Sequence, residues 1–190
     1  MDAKSLSILK EFLAASLKSF NISEQETNIG VLSFSNKAAE VLPVPSGTEA
    51  TTVSDQIRRI RPTGGERRAS SALELARSMF NQAGNRRSSI PKVFVLTALG
   101  DNSQSDNAVF RAQAKATLER GIMVIIISIN AKDGSNTVGP LQARIDLIKV
   151  PRLQDLHLKI GDIEKQIGKY AGNNKQYLNS VISKPDKKNL

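Results

Sequence analysis

The stretch from Lys92 to Asn130 constrains the fold more than any other part of the chain. It reads KVFVLT, then ALGDNSQSD, then NAVFRAQAKATLERG, then IMVIIISIN. That is a strand, a polar loop, an amphipathic helix closed by Gly121, and a second strand. Val93–Leu96 and Ile122–Ile129 are rich in β-branched and aliphatic residues without polar alternation, which predicts strands covered on both faces. A strand–helix–strand unit of this length is a right-handed parallel crossover. Its polar loop leaves the carboxyl end of the first strand, where open α/β sheets place their ligand sites.

The flanking segments extend the alternation. Leu6, Leu9, Leu13, Leu17 and Phe20 recur at helical spacing and predict a helix from about Lys4 to Phe20. Asn28–Ser35 reads as a strand, with Ala38–Val44 as an antiparallel partner ended by Pro43 and Pro45. Thr52–Ile60 is a short helix, Pro62–Gly65 a turn, Ser70–Phe80 a helix and Ala83–Ile90 a polar basic loop. Beyond the central unit, Leu141–Val150 reads as a helix, Asp155–Ile160 as a short last strand and Asp162–Tyr170 as a last helix. The order predicts an α/β fold: a doubly wound, mostly parallel sheet with helices on both faces, a three-layer Rossmann-type sandwich. A single domain is expected over residues 1–172, and residues 173–190 read as a polar basic tail.

Composition excludes several classes. No run approaches the roughly 20 apolar residues of a membrane helix, and Met1-Asp2-Ala3-Lys4 leads straight into an amphipathic pattern rather than a signal sequence. Cysteine is absent, so disulfides and thiolate chemistry are ruled out. The net charge of +9 favours an anionic partner. With 4% aromatic residues and no Trp, a base-stacking platform is hard to build, so nucleic acid is not the expected partner.

The local sequences, in this order, resemble the von Willebrand factor type A domain, which includes integrin I-like domains. Ser7–Ser23 (SILKEFLAASLKSFNIS) is similar to that family's first helix and its exit, and Thr27–Ser35 (TNIGVLSFS) to its second strand. Ile57–Ala76 is similar to its glycine turn and third helix, and Lys92–Asn130 to its fourth strand, fifth helix and fifth strand. With Asp155–Lys169 the likeness covers nearly the whole chain, and it points to the matrix-protein type found in collagen VI and matrilins. The resemblance implies an adhesion module with one antiparallel edge strand in its sheet. It also implies that the family's first strand, which sits mid-sheet, is absent here. Two strand edges would then face a gap, with buried unpaired backbone groups costing about 1–3 kcal/mol each. A longer multidomain parent chain, a strand donated by another chain, or closure of the sheet would each resolve that; the expectation is the longer chain.

Family members that bind a divalent ion use an Asp-x-Ser-x-Ser loop, a Thr before the third helix and an Asp after the fourth strand. Carboxylate and hydroxyl oxygens of that kind suit hard Mg²⁺. Here the first loop has no counterpart, the Thr position falls near Ala69, and the Asp position falls at Ala98. Ser70 and Asp101 are the weak remaining metal candidates, and no cofactor is expected. Asp101-Asn102-Ser103-Gln104-Ser105 spells Asp-x-Ser-x-Ser, but it follows the fourth-strand context and reads as turn formation and helix capping ahead of Asn107. Ser70, Ser71, Asp101, Asn102 and Ser103 are the expected top-face loop residues.

Arg58, Arg59, Arg61, Arg67, Arg68, Arg86 and Arg87 form the densest basic group. Arginine offers bidentate contacts to sulfate or carboxylate, against the bland alternative of a solvated face paired with Glu66 and Glu74. His157, the one histidine, alternates with Leu156 and Leu158 and is placed on the last strand, pointing to solvent or a rim. Neither a G-x-S-x-G elbow nor a phosphate loop is present, so no catalytic residue is assigned and the chain is not expected to be an enzyme. Asn21-Ile22-Ser23 is a glycosylation triplet, relevant to a secreted chain. The expected function is a non-enzymatic, extracellular adhesion module that binds a collagen-like matrix protein or a sulfated glycan without a metal. The alternative is an intracellular (cytoplasmic) assembly module that meets an acidic protein or nucleic acid. A third possibility is a hydrolase or nucleotide-binding α/β protein.

Overall fold

The computed structural model describes residues 2–23, 26–44, 49–83, 90–131 and 138–172. The elements in chain order are α1 (Ala3–Ser16), β1 (Val31–Phe34), β2 (Ala38–Leu42), α2 (Ala50–Arg59), α3 (Ala69–Gln82), β3 (Lys92–Leu99), α4 (Asn107–Glu119), β4 (Ile122–Ile129), β5 (Asp146–Val150) and α5 (Ile160–Gly172). Parallel pairing joins β3 to β4 and β4 to β5, Lys92 facing Ile122 and Ile125 facing Asp146 at the starts of the two ladders. β1 and β2 form a separate antiparallel hairpin.

Period-two alternation sends side chains of the parallel sheet into two cores. Phe94, Leu96, Ile122, Val124 and Ile126 pack with Leu73 and Ala76 of α3 and with Phe110, Ala114 and Leu118 of α4. Met123, Ile125, Ile127, Ile129, Ile148 and Val150 pack on the other face with Leu9 and Phe12 of α1 and Ile163 and Tyr170 of α5. A third cluster ties Leu17, Leu42, Val53 and Ile57 together beneath the hairpin. Helices on both faces of a parallel sheet make this the α/β architecture expected.

Two elements differ from expectation. Leu141–Val150 is not a helix: a 3₁₀ turn over Gly139–Ala143 is followed by β5. Leu141, Ile145 and Ile148 mimic helical spacing. However, Ile145 and Leu147 enter one core while Ile148 and Val150 enter the other, which is the alternation of a strand covered on both faces. Asp155–Ile160 is not a strand: Leu153–Lys159 is a 3₁₀ helix leading into α5. Leu153 and Leu156 are buried one turn apart, whereas Leu158, which alternation would have buried, is 68% exposed. The expected tail, residues 173–190, lies outside the described residues.

The hairpin and the three-stranded sheet do not meet edge to edge. Between them is a cavity of about 1770 Å³, lined by every residue of β1 and of β3. Ala76, Met79 and Phe80 wall one side, and Leu9, Leu13, Ile163 and Ile167 the other.

Candidate functional site: the rim at the carboxyl end of β3

The end of β3 is held by backbone geometry. Gly100 takes φ 74°, and a Cβ there would lie 3.1 Å from the Arg67 guanidinium, so glycine serves both the turn and the close approach. Its N–H donates to the Ile129 carbonyl (2.6 Å), which locks the turn to the end of β4.

The segment before α3 is stitched to this turn. Arg67 donates from Nε to the Asp101 carbonyl (2.8 Å) and from Nη1 to the Leu99 carbonyl (2.5 Å), while its own carbonyl accepts from the Ser103 N–H (3.0 Å). On the hairpin side, the Arg68 N–H donates to the Ser35 carbonyl (3.0 Å) and the Glu66 N–H to Asn36 Oδ1 (2.6 Å). The segment therefore bridges the mouth of the cleft, from β1 to β3.

Beneath it, the first turn of α3 is capped from a distant part of the chain. Arg68, at the N-cap position, supplies no side-chain cap. Instead the Ala69 N–H donates to Asn102 Oδ1 (3.1 Å) and the Ser70 N–H to Asp106 Oδ2 (3.0 Å); the Ser70 hydroxyl donates to Asp106 Oδ1. Asn102 Nδ2 donates to Asp106 Oδ2 (3.1 Å) and Asn107 Oδ1 (3.2 Å). Asp106 is 5% exposed and Ser70 8%. A carboxylate at a helix N-terminus satisfies orphan amides and sits favourably against the helix dipole.

Of the expected top-face residues, Ser70, Asn102, Ser103 and the backbone of Asp101 meet at this rim. Ser71 donates its hydroxyl to the Arg68 carbonyl (2.8 Å), within its own turn. Asp106 carries the cluster and had no place among the expected residues: its position before Asn107 suggests a cap for α4, yet its carboxylate serves α3. The stretch with Asp101, Ser103 and Ser105, expected to form a turn and to cap the helix ahead of Asn107, does turn through a 3₁₀ helix over Gln104–Asp106, but no side chain caps α4. Ser103 makes no side-chain cap, and its hydroxyl pairs with that of Ser105 (2.9 Å).

Both Asp106 oxygens and the Ser70 hydroxyl are committed to each other and to α3, and Arg67 places a fixed cation on the same rim. Among the described residues no group of three or more His, Cys, Asp or Glu is disposed to hold a metal.

The arginine group divides in two. Arg58 faces α1, with Nε 3.4 Å from Glu11 and Nη1 3.6 Å from Asp55. Arg67 and Arg68 stand at the rim, Arg68 paired with Glu66 at 3.2 Å. Arg59 and Arg61 are exposed between them; Arg86 and Arg87 lie outside the described residues. Residues 61–68 are exposed throughout. Arg77, outside the predicted group, is partly buried between α3 and α4. It donates to the Gln113 carbonyl and Thr117 Oγ1 (both 2.9 Å); burial, then the nearby Arg120, lower its pKa, while Glu74 opposes.

His157 is exposed on the 3₁₀ helix, not on a strand, with Nδ1 2.7 Å from the Gln154 carbonyl. Asn21 is exposed beside the isolated Ile22–Thr27 bridge.

Helices on both faces of a parallel sheet, and loops gathered at the strands' carboxyl ends, define an open doubly wound α/β domain. The chain belongs to the von Willebrand factor type A domain family, whose model matches residues 1–148. It is 24% identical over 128 residues to the mouse collagen alpha-4(VI) chain, covering 66% of this chain and 5% of that one. Over 141 residues it is 24% identical to the human collagen alpha-6(VI) chain, covering 73% and 6%. It thus spans a small part of the curated relatives it matches. Among solved structures, proximal thread matrix protein 1 of the mussel byssus aligns with a TM-score of 0.72 at 16% identity, over 87% of this chain and 41% of that one. One structure of that mussel protein has a zinc-occupied MIDAS motif. A von Willebrand factor type A protein from Catenulispora acidiphila aligns at 0.63 with 12% identity, over 84% and 37%. These structural likenesses show the fold.

Proposed function

We propose that this domain is a non-enzymatic adhesion module of a secreted matrix protein. It binds a collagen-like matrix protein or a sulfated glycan at the β3 rim, without a metal. The observation that carries the proposal is the segment 61–68. It is exposed at every residue, carries Arg61, Arg67 and Arg68, and is fastened to both β1 and β3 by the hydrogen bonds described above. A pre-ordered basic segment holds positive charge at the rim with little ordering cost, the Arg67 and Arg68 guanidinium groups being fixed there by backbone carbonyls and by Glu66. The kinship with collagen VI chains supports the extracellular setting, and the exposed Asn21 triplet is compatible with it.

The test is binding to immobilised heparin and to immobilised collagen in EDTA, for the native chain and for the triple variant Arg61→Ala, Arg67→Ala, Arg68→Ala. The native chain is expected to bind one of them in EDTA, with affinity falling as salt rises. The triple variant is expected to lose at least about tenfold, equivalent to about 1.4 kcal/mol. Binding that needs Mg²⁺, or that the triple variant retains in full, contradicts the proposal. Preference for an acidic intracellular protein or nucleic acid over both surfaces would favour the assembly-module alternative.

A further inference from the structure

Asn21-Ile22-Ser23 is the one Asn-x-Ser/Thr triplet of the chain, and it lies in the link between α1 and β1. Its backbone is fixed, while its carboxamide is left free. The Thr27 N–H donates to the Asn21 carbonyl (3.1 Å), and Ile22 forms an isolated bridge with Thr27. Ile22 packs, half-buried, on the cluster of Leu17, Leu42, Val53 and Ile57. The Ser23 hydroxyl accepts from the Glu26 N–H (3.2 Å) and closes a short turn. Asn21 is exposed, and its carboxamide makes no hydrogen bond among the described residues.

We propose that Asn21 carries an N-linked glycan, attached as the chain passes through a secretory pathway; the inference rests on the domain being part of a secreted protein, as proposed above. The step joins the Asn21 carboxamide nitrogen to the anomeric carbon of an oligosaccharide held on a lipid pyrophosphate. The bond from that carbon to the pyrophosphate oxygen breaks. The lipid pyrophosphate leaves with the bonding pair, and the nitrogen gives up one proton to a base. No oxidant or reductant is required. Two features of the structure accommodate the product. First, Ile22 anchors the triplet to the core while Asn21 stands in solvent, so a bulky hydrophilic group there displaces no packed side chain. Second, the glycan and the rim lie at opposite ends of β1. Thr27, which holds Asn21, precedes that strand. The rim meets the chain after it, where the Ser35 carbonyl accepts from the Arg68 N–H. Extended throughout, the backbone from Thr27 to Ser35 would span about 26 Å. A glycan at Asn21 leaves residues 61–68 open to a partner.

The test is expression of the full chain behind a secretory leader in a human cell line, with intact mass read before and after treatment with peptide-N-glycosidase. Most native molecules are expected to carry one N-glycan, which the enzyme removes to leave an aspartate at position 21. Asn21→Gln and Ser23→Ala are each expected to abolish the glycan. Ser23→Thr, which keeps the hydroxyl at the third position of the triplet, is expected to retain it. Asn21→Gln removes no side-chain hydrogen bond seen among the described residues, so it should fold as the native chain does. A native chain recovered without a glycan, from the medium or from the cells, overturns the proposal. So does a glycan that survives Asn21→Gln, or one that Ser23→Thr abolishes. Occupancy is read by mass, with neither heparin nor collagen present. Its failure therefore leaves binding at the rim separately testable, and failure of rim binding leaves the glycan result standing.

Discussion

β4 and β3 lie side by side in one sheet, and both are almost wholly apolar. Every residue of β4 except Ser128 is buried, whereas β3 buries only Phe94 and Leu96. Among the described residues, β4 has a strand on each side, whereas β3 has one on one side and the cleft on the other. The contrast teaches that an aliphatic run makes a strand eligible for burial, while its neighbours decide whether burial is complete.

Substitutions should expose the contrast. Ile125→Ala or Ile127→Ala on β4, at fully buried positions, is expected to destabilise the fold by about 3–4 kcal/mol through lost transfer energy and a cavity. Val95→Ala on β3, partly exposed beside the cleft, should cost about 1 kcal/mol. Urea unfolding would measure both, and equal losses would show that the two strands are equally packed.

The rim gives the next effect. Asp106→Ala leaves the Ser70 N–H and hydroxyl without their acceptor and is expected to cost about 1–3 kcal/mol. Asn102→Ala, which frees the Ala69 N–H, should cost about 1 kcal/mol. If Asp106→Ala proved neutral in urea unfolding, the long-range cap would not be holding α3.

The smallest effect is electrostatic and far from the rim. The Arg152 hydrogen bond, followed by that residue's charge, lowers the Asp155 pKa below its ordinary 3.8. A carboxylate with a depressed folded-state pKa stabilises the fold above the unfolded value and loses that contribution as pH falls through the folded one. Arg152→Gln should therefore raise the Asp155 pKa in an NMR titration and remove a slight acid-side stability gain. An unchanged titration would mean that the pair does not form in solution. At this exposed site the stability change should be at the edge of detection.

The unit from β3 through α4 to β4 was legible because its signals are local: two aliphatic runs, a helical period and the closing Gly121. β5 was obscured because Leu141, Ile145 and Ile148 also satisfy a helical period, and only the two cores distinguish the readings. The 3₁₀ helix was obscured by Leu156 and Leu158, whose alternation mimics a strand until burial separates them. At the rim, Ser70 and Asn102 were recognised as loop residues, but their partner Asp106 was not. Its carboxylate accepts from Ser70, 36 residues earlier in the chain, and no spacing rule encodes such a contact. The arginines were visible by composition; their division between α1 and the rim depends on tertiary structure.

The central claim is that this rim binds by shape and positive charge, without an ion. Its most direct test is the affinity of the native chain for immobilised heparin, measured across a salt series in excess EDTA and again in excess Mg²⁺. The account predicts two superimposable curves that both weaken as salt rises. Binding that appears only with Mg²⁺ and ignores salt would contradict it.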